Sequence, residues 1–193
     1  MSSRRRAAAA AALCALVAAP AAGAATRAAA PSTTAGVAAA CPNADQTGGN
    51  ATVADLATGV RCLLNQQRTG AGRRAVAENP ELASAASRHA ADMVSRHYFA
   101  HTSLGGSTFV DRIRRTGYLP ARGRWSAGEI LAWTSGSLAT PRGLVDAWMA
   151  SPEHRRILLD PSFSEVGVGV VVGAPRAGVG DAITATADFG RVR

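Results

Sequence analysis

The chain has 193 residues, 47% of them hydrophobic, and a formal net charge of +8 from 21 basic residues, all arginine, against 13 acidic ones. This length and apolar content suit one domain with a substantial core. The arginines are dispersed and no aromatic residues interleave with them, so the pattern argues against a nucleic-acid-binding protein. Dispersed positive charge is instead typical of a solvated face, or of a protein that meets an anionic wall or membrane surface.

Residues 1–25 have the pattern of a cleavable signal peptide. Three arginines at 4–6 precede an uncharged, Ala-rich stretch, and Pro20 is followed by a small-residue cleavage site at 22–24. The apolar stretch is shorter than the roughly 20 residues that span a bilayer. We therefore predict an extracellular protein, secreted and either free or wall-associated, with no transmembrane segment in its mature chain.

Residues 26–52 are rich in Ala, Thr, Gly, Pro and Asn, and we interpret them as a flexible linker before a domain at 53–193. Of the three cysteines, Cys14 would leave with the signal peptide. Cys41 and Cys62 remain as a pair in an oxidising compartment, which predicts a disulfide that ties the linker to the first helix. A two-cysteine metal site is the alternative, but the close spacing typical of such sites is absent.

Helices are predicted throughout the first part of the domain. A stripe of apolar residues predicts the first helix over 53–68. Asn79, followed by proline, caps a second helix that we expect to run to Tyr98, and a short third helix is predicted from 107 or 108 to Gly117.

Cap-plus-proline pairs at 140–141 and 151–152 predict two more helices before the sequence becomes rich in strand-forming residues. Segments 165–173 and 181–189 are then β-branched and are interpreted as two strands joined at 175–180, with a third short strand near 130–133. Helices first and antiparallel strands last predict an α+β domain.

Six short stretches occur in a characteristic order: LNQQR at 64–68, YFAHTS at 98–103, GEILAW at 128–133, AWMASPEHR at 147–155, EVGVG at 165–169 and DFG at 188–190. Together they resemble the CAP superfamily of cysteine-rich secretory, antigen 5 and pathogenesis-related proteins, and most of all its bacterial extracellular, SCP-like branch. The resemblance covers about residues 53–192. It implies an α-β-α sandwich, with a small antiparallel sheet flanked by helices and a central cleft.

The resemblance also implies which residues line the cleft. Family members place two histidines and two glutamates there, and several bind zinc or another divalent metal through the histidines. Carried over to this chain, the metal ligands are His101 and His154, and the first glutamate is Glu129, a candidate third ligand. Ser151 occupies the position of the second glutamate, and Ile130 replaces the customary asparagine after the first.

The chemistry of His101, Glu129 and His154 leaves three roles open. Two imidazoles and a carboxylate suit Zn²⁺ with an open water position. Alternatively, Glu129 orients one imidazole from outside the ligand set. In the third role, the three side chains only hold the cleft loops together. The same three residues are the candidates for any catalysis.

Three other interpretations of the histidines and Ser151 need testing. His97 and His101 would share a face on a continuous helix, as in a metal-binding pair, but Phe99, Ala100 and the residues at 102–106 indicate that the helix ends there. His89 falls on the packed face of that helix and is interpreted as a core residue. Ser151, His154 and Glu129 include the residue types of a serine hydrolase, but no nucleophile elbow is present, and Ser151 is predicted to cap a helix with its hydroxyl.

We therefore predict an extracellular CAP domain whose cleft binds a lipid, a wall fragment or a peptide, and a divalent metal, without catalysis. The alternative is a metal-dependent extracellular hydrolase that acts on peptide or wall material, with Glu129 as general base. The serine at position 151 counts against the hydrolase, because such an enzyme would keep its second acid–base group.

Overall fold

The computed structural model describes residues 40–193, which form five α-helices, one 3₁₀ turn and four strands. In chain order these are α1 (Val53–Gly70), β1 (Ala77–Glu78), α2 (Pro80–Ser95), α3 (Phe109–Arg115), β2 (Trp125–Ser135), the 3₁₀ turn (Gly136–Leu138), α4 (Pro141–Ala150), α5 (Pro152–Leu158), β3 (Glu165–Val172) and β4 (Ala182–Val192). Within this range, no helix is both long and apolar enough to cross a membrane.

The four strands form one sheet in the order β1-β3-β4-β2. β4 pairs antiparallel with both β2 and β3, while the two-residue β1 adds a short parallel pair to β3. The third predicted strand is therefore longer than 130–133 and begins at Trp125. Its first half contains Gly128 and Glu129, which have low strand propensity, and pairing with β4 overrides that preference.

Helices cover both faces of the sheet, so the predicted α-β-α sandwich is confirmed. The alternating residues Ile183, Ala185, Ala187 and Phe189 of β4 belong to a core shared with α1 and α4. The opposite face of the sheet lies under α2, which approaches it closely because β3 carries glycines: a Cβ at Gly167 would lie 1.9 Å from a backbone nitrogen of α2.

The folded unit begins before Val53. Cys41 is joined to Cys62 of α1 by a disulfide, as predicted. Ala44 is buried in the core, and its carbonyl accepts a hydrogen bond from the backbone nitrogen of Arg142 at 2.9 Å. The described part of the predicted 26–52 linker thus packs on the domain, while the signal peptide at 1–25 lies outside the described residues and stays a prediction.

A buried arginine in α1 fixes the chain between α5 and β3. The Arg68 side chain is fully buried, and its guanidinium donates hydrogen bonds to backbone carbonyls. The acceptors are the carbonyls of Arg74 (2.9 Å), Leu158 (2.6 Å), Asp160 (3.1 Å) and Phe163 (3.4 Å). Arg68 therefore provides hydrogen-bond donors for backbone carbonyls at the C-terminal end of α5 and holds that helix against α1.

Replacing Arg68 with methionine should destabilise the fold by about 3 kcal/mol or more, because four carbonyls lose a charged donor in a buried region. Urea unfolding followed by circular dichroism measures the change. Arg73→Met, which alters an exposed arginine five residues away, is the control and should leave the unfolding free energy within about 0.5 kcal/mol. A similar small effect for Arg68→Met would contradict the role assigned to this side chain.

Candidate functional site

Glu129 is a buried carboxylate in the middle of β2. Its side chain is 1% exposed and lies on the sheet face covered by α2 and α3. An ionised carboxylate in such a place is stable only with strong donors around it. Those donors come from two separate parts of the chain.

His101 supplies the first donor, from the loop that follows α2. Its Nδ1 lies 2.8 Å from Glu129 Oε1. A carboxylate paired with an arginine only accepts hydrogen bonds, so Nδ1 carries the proton and Nε2 keeps its lone pair. The His101 side chain is 53% exposed.

Arg112 supplies the second donor, from α3. Its Nη2 lies 2.5 Å from Glu129 Oε2, and its Nη1 donates to Ser103 Oγ at 3.2 Å and to the Ser107 carbonyl at 2.9 Å. This side chain therefore ties β2, α3 and the loop between α2 and α3 together. We did not predict this role from the sequence. The available signal was its position beside Ile113 and three residues after Phe109, on the packed face of α3.

Asp188 completes the buried cluster from β4, directly opposite Glu129 in the strand register. It is fully buried, and neither carboxyl oxygen has a hydrogen-bond donor among the described groups when both acids are ionised. Burial, reinforced by the negative charge of Glu129, raises the pKa of Asp188 well above its ordinary value. This shift favours the protonated form of Asp188, which can donate a hydrogen bond to Glu129. In the sequence it stood out only as part of a motif.

His154 lies in the first turn of α5, half-buried. Burial lowers the pKa of His154, and the nearby His101 lowers it further, against a smaller opposite effect of Glu153. The two imidazoles are thus close enough to interact electrostatically. Of the predicted trio, the structure joins His101 and Glu129 by a direct hydrogen bond and brings His154 near His101.

The donor set fits a metal held by two histidines rather than by three side chains. Across residues 40–193, no group of three or more His, Cys, Asp or Glu side chains is arranged to hold a metal ion. Both oxygens of Glu129 are already occupied by His101 and Arg112. The hydrogen bond between His101 Nδ1 and Glu129 therefore orients the His101 imidazole.

The structure corrects two predictions about neighbouring residues. α2 ends at Ser95 and not at Tyr98, and His97 has a left-handed backbone with φ of 54°, so His97 and His101 share no helix face. Ser151 is the N-cap of α5, but its side chain makes no capping hydrogen bond. Ser151 is also the C-cap of α4. Pro152, at the first position of α5, has no backbone N–H, so the start of α5 has one fewer N–H group that needs a capping partner.

His89 is buried, as predicted for a core residue, but only one of its two ring nitrogens has a hydrogen-bond partner among the described groups. Its Nε2 bonds the Ala100 carbonyl at 2.9 Å, whereas its Nδ1 has no partner among the described groups. Because a carbonyl only accepts, Nε2 carries the proton and Nδ1 is a buried acceptor.

Comparison with solved structures agrees with this architecture. An extracellular protein containing an SCP domain from Bacillus anthracis superposes with a TM-score of 0.58 at 26% identity, over 72% of this chain and 42% of that one. An outer surface protein from Borrelia burgdorferi shares the fold with a TM-score of 0.55 at 19% identity, over 69% of this chain and 90% of that one. The fold is that of a bacterial SCP domain.

The family model of the cysteine-rich secretory proteins, CAP, matches residues 63–186, and the chain belongs to that family. It is also 31% identical over 109 residues to the uncharacterized protein YkwD of Bacillus subtilis. The aligned region covers 56% of this chain and 40% of YkwD. The chain therefore spans less than half the length of the curated relative that it matches.

Asp188→Asn should stabilise the protein increasingly as the pH rises from about 4 to neutrality. In the unfolded chain Asp188 ionises at its ordinary pKa near 3.8, whereas the folded protein keeps it protonated to higher pH. Folding of the wild type therefore loses free energy as the pH rises through that window, and asparagine, which stays neutral, does not. Urea unfolding at several pH values measures the difference.

Asp146→Asn, on the exposed face of α4, is the matched control for removing a carboxyl. A stability difference between Asp188→Asn and wild type that stays constant, or shrinks as the pH rises, would show that Asp188 ionises in the folded protein.

Proposed function

We propose that this chain is an extracellular, non-catalytic CAP domain whose cleft binds a divalent metal ion through His101 and His154 and uses it to hold a ligand. The observation that carries the proposal is the hydrogen bond from His101 Nδ1 to the buried Glu129 carboxylate. It fixes the tautomer that presents Nε2 as a ligand atom, as partners outside the ligand set do in metal sites.

Two imidazoles with free lone pairs favour Zn²⁺ or another divalent ion over a purely structural role for the cleft. Burial and the neighbouring His101 both favour the neutral form of His154, which is the form that binds metal. Zinc usually has four ligands, so two histidines leave positions open to water and to a ligand oxygen. Peptides, wall fragments and lipid head groups all carry such oxygens.

The contacts of Glu129 argue against the alternative, a metal-dependent hydrolase. A general base needs a carboxylate oxygen within reach of the attacking water. One oxygen of Glu129 accepts from His101 and the other from Arg112, and the side chain is 1% exposed. Ser151, at the position of the family's second glutamate, cannot replace that base.

The extracellular assignment is supported by three independent observations. The sequence has the pattern of a signal peptide, and Cys41 and Cys62 form a disulfide, which is typical of oxidising compartments. Two structural relatives are described as an extracellular protein and an outer surface protein. Wall association would follow from the excess of arginine over acidic residues.

Zinc binding tests the proposal. His101→Ala combined with His154→Ala should abolish zinc binding measured by calorimetry, because both ligands are lost. Glu129→Gln should weaken it by about 10–100-fold, the usual effect of losing a partner that orients a ligand. His97→Ala removes an exposed histidine from the same loop and should change nothing, so it controls for nonspecific binding.

Thermal melts of each variant check that the fold persists, which matters most for Glu129→Gln because Arg112 then loses a buried partner. Unchanged zinc affinity in the double histidine variant would contradict the metal site. Chelator-sensitive cleavage of peptide or wall material by the wild type, lost in Glu129→Gln, would instead establish the hydrolase.

A further inference from the structure

The edge of the sheet formed by β3 is open beyond the short β1. β1 pairs with β3 only at Ala77 and Glu78, and its ladder ends where the Asn79 nitrogen donates to the Val166 carbonyl at 3.0 Å. Pro80 then begins α2, and the chain leaves the edge. The remainder of β3 is an edge strand, because no other described strand pairs with it on this side.

The register of the sheet shows which backbone groups face this edge. The Gly173 nitrogen donates to the Ala182 carbonyl at the end of β4 at 2.7 Å, and residues that exchange such bonds alternate along an antiparallel pair. Val168, Val170 and Val172 therefore turn their N–H and C=O groups away from β4. Within residues 40–193, no backbone group from another segment pairs with them.

A groove of about 320 Å³ lies over the edge, between α1 and α2. Its lining comprises residues of both helices, the end of β1 and two valines of β3: Val53, Ala54, Ala57, Thr58, Arg61, Glu78, Ser87, Val168 and Val170. The two valines are 8% and 5% exposed, whereas Ala54 of α1 and Ser87 of α2 are exposed. The edge is thus recessed between two helices, and at its far end Val172 is 49% exposed.

The walls of the groove favour a narrow, uncharged chain as its occupant. The only charged residues in the lining, Arg61 and Glu78, pair with each other at 2.7 Å, so neither calls for an opposite charge on a ligand. Native edge strands are commonly protected by charged residues or proline, but this edge presents valines. Because α1 and α2 flank the edge, the sheet of a second folded copy, with its own helices, does not fit against it.

We propose that the β3 edge binds an extended peptide segment of another protein, which adds a strand to the sheet. The bonding groups of Val168, Val170 and Val172 recur at every second residue, about 7 Å apart, and an extended peptide presents its own N–H and C=O groups at the same interval. The side chains of the peptide alternate between the α1 wall and the α2 wall, where small residues leave room. This site lies at the opposite edge of the sheet from β2, which carries Glu129, and is therefore independent of the cleft.

A nitrogen-15 NMR titration of the full chain tests the site, with an acetylated and amidated heptapeptide of alternating threonine and valine, in the presence of a chelator. Saturable shifts are expected at the amides of Val168, Val170 and Val172, together with slower hydrogen exchange. The same peptide methylated on its backbone nitrogens lacks the donors and should bind roughly tenfold more weakly or worse.

Two substitutions fill the groove from opposite walls. Ala54→Trp on α1 and Ser87→Trp on α2 should each lower the affinity for the heptapeptide roughly tenfold or more by steric exclusion. Both positions are exposed, so the fold should persist. Ala147→Trp, at an exposed position of α4, is the matched control and should keep the wild-type affinity.

Hydrogen exchange in the free protein shows whether the edge is open. The amides of Val168 and Val170 should exchange faster than those of Gly167 and Gly169, which bond to β4. Equal protection of all four would show that the edge is already covered and would overturn the site, as would the absence of saturable shifts or equal affinity for the methylated peptide. Self-association that Ala54→Trp abolishes would assign the edge to a second copy and contradict the proposal.

Discussion

The site depends on keeping a carboxylate buried in the middle of a sheet. Glu129 has almost no access to water, so its charge must be balanced by the protein. Arg112 and His101 reach it from α3 and from the loop after α2. Asp188, whose protonated form burial favours, lies opposite it on the neighbouring strand. Satisfying one charge therefore fixes the positions of three segments and the tautomer of the cleft histidine.

Two buried arginines position the two halves of the cleft. Arg112 holds the loop that carries His101, through hydrogen bonds to Ser103 and the Ser107 carbonyl. Arg68, on the other side of the sheet, holds the end of α5, the helix that begins near His154. Together they place two accessible imidazoles on a rigid frame, which is what a binding site on loops requires.

Local signals in the sequence predicted much of the fold and little of the buried cluster. The cap at Asn79 and the two late strands follow from residue type and spacing. The full length of β2 depends on its pairing with β4, which no local signal shows. The roles of Arg112 and Asp188 were not predicted, because they too depend on contacts between distant parts of the chain. An arginine on a short helix usually faces solvent. The role of an acidic residue in a strand depends on the residue that pairs with it across the sheet.

The central claim is that Glu129 orients His101 and does not act as a base. The most direct measurement is the nitrogen-15 NMR spectrum of the His101 ring in metal-free protein, at a pH where the imidazole is neutral. We predict a proton on Nδ1 and an unprotonated Nε2, with this preference weakened in Glu129→Gln. A ring protonated on Nε2, or a tautomer that Glu129→Gln leaves unchanged, would contradict the claim.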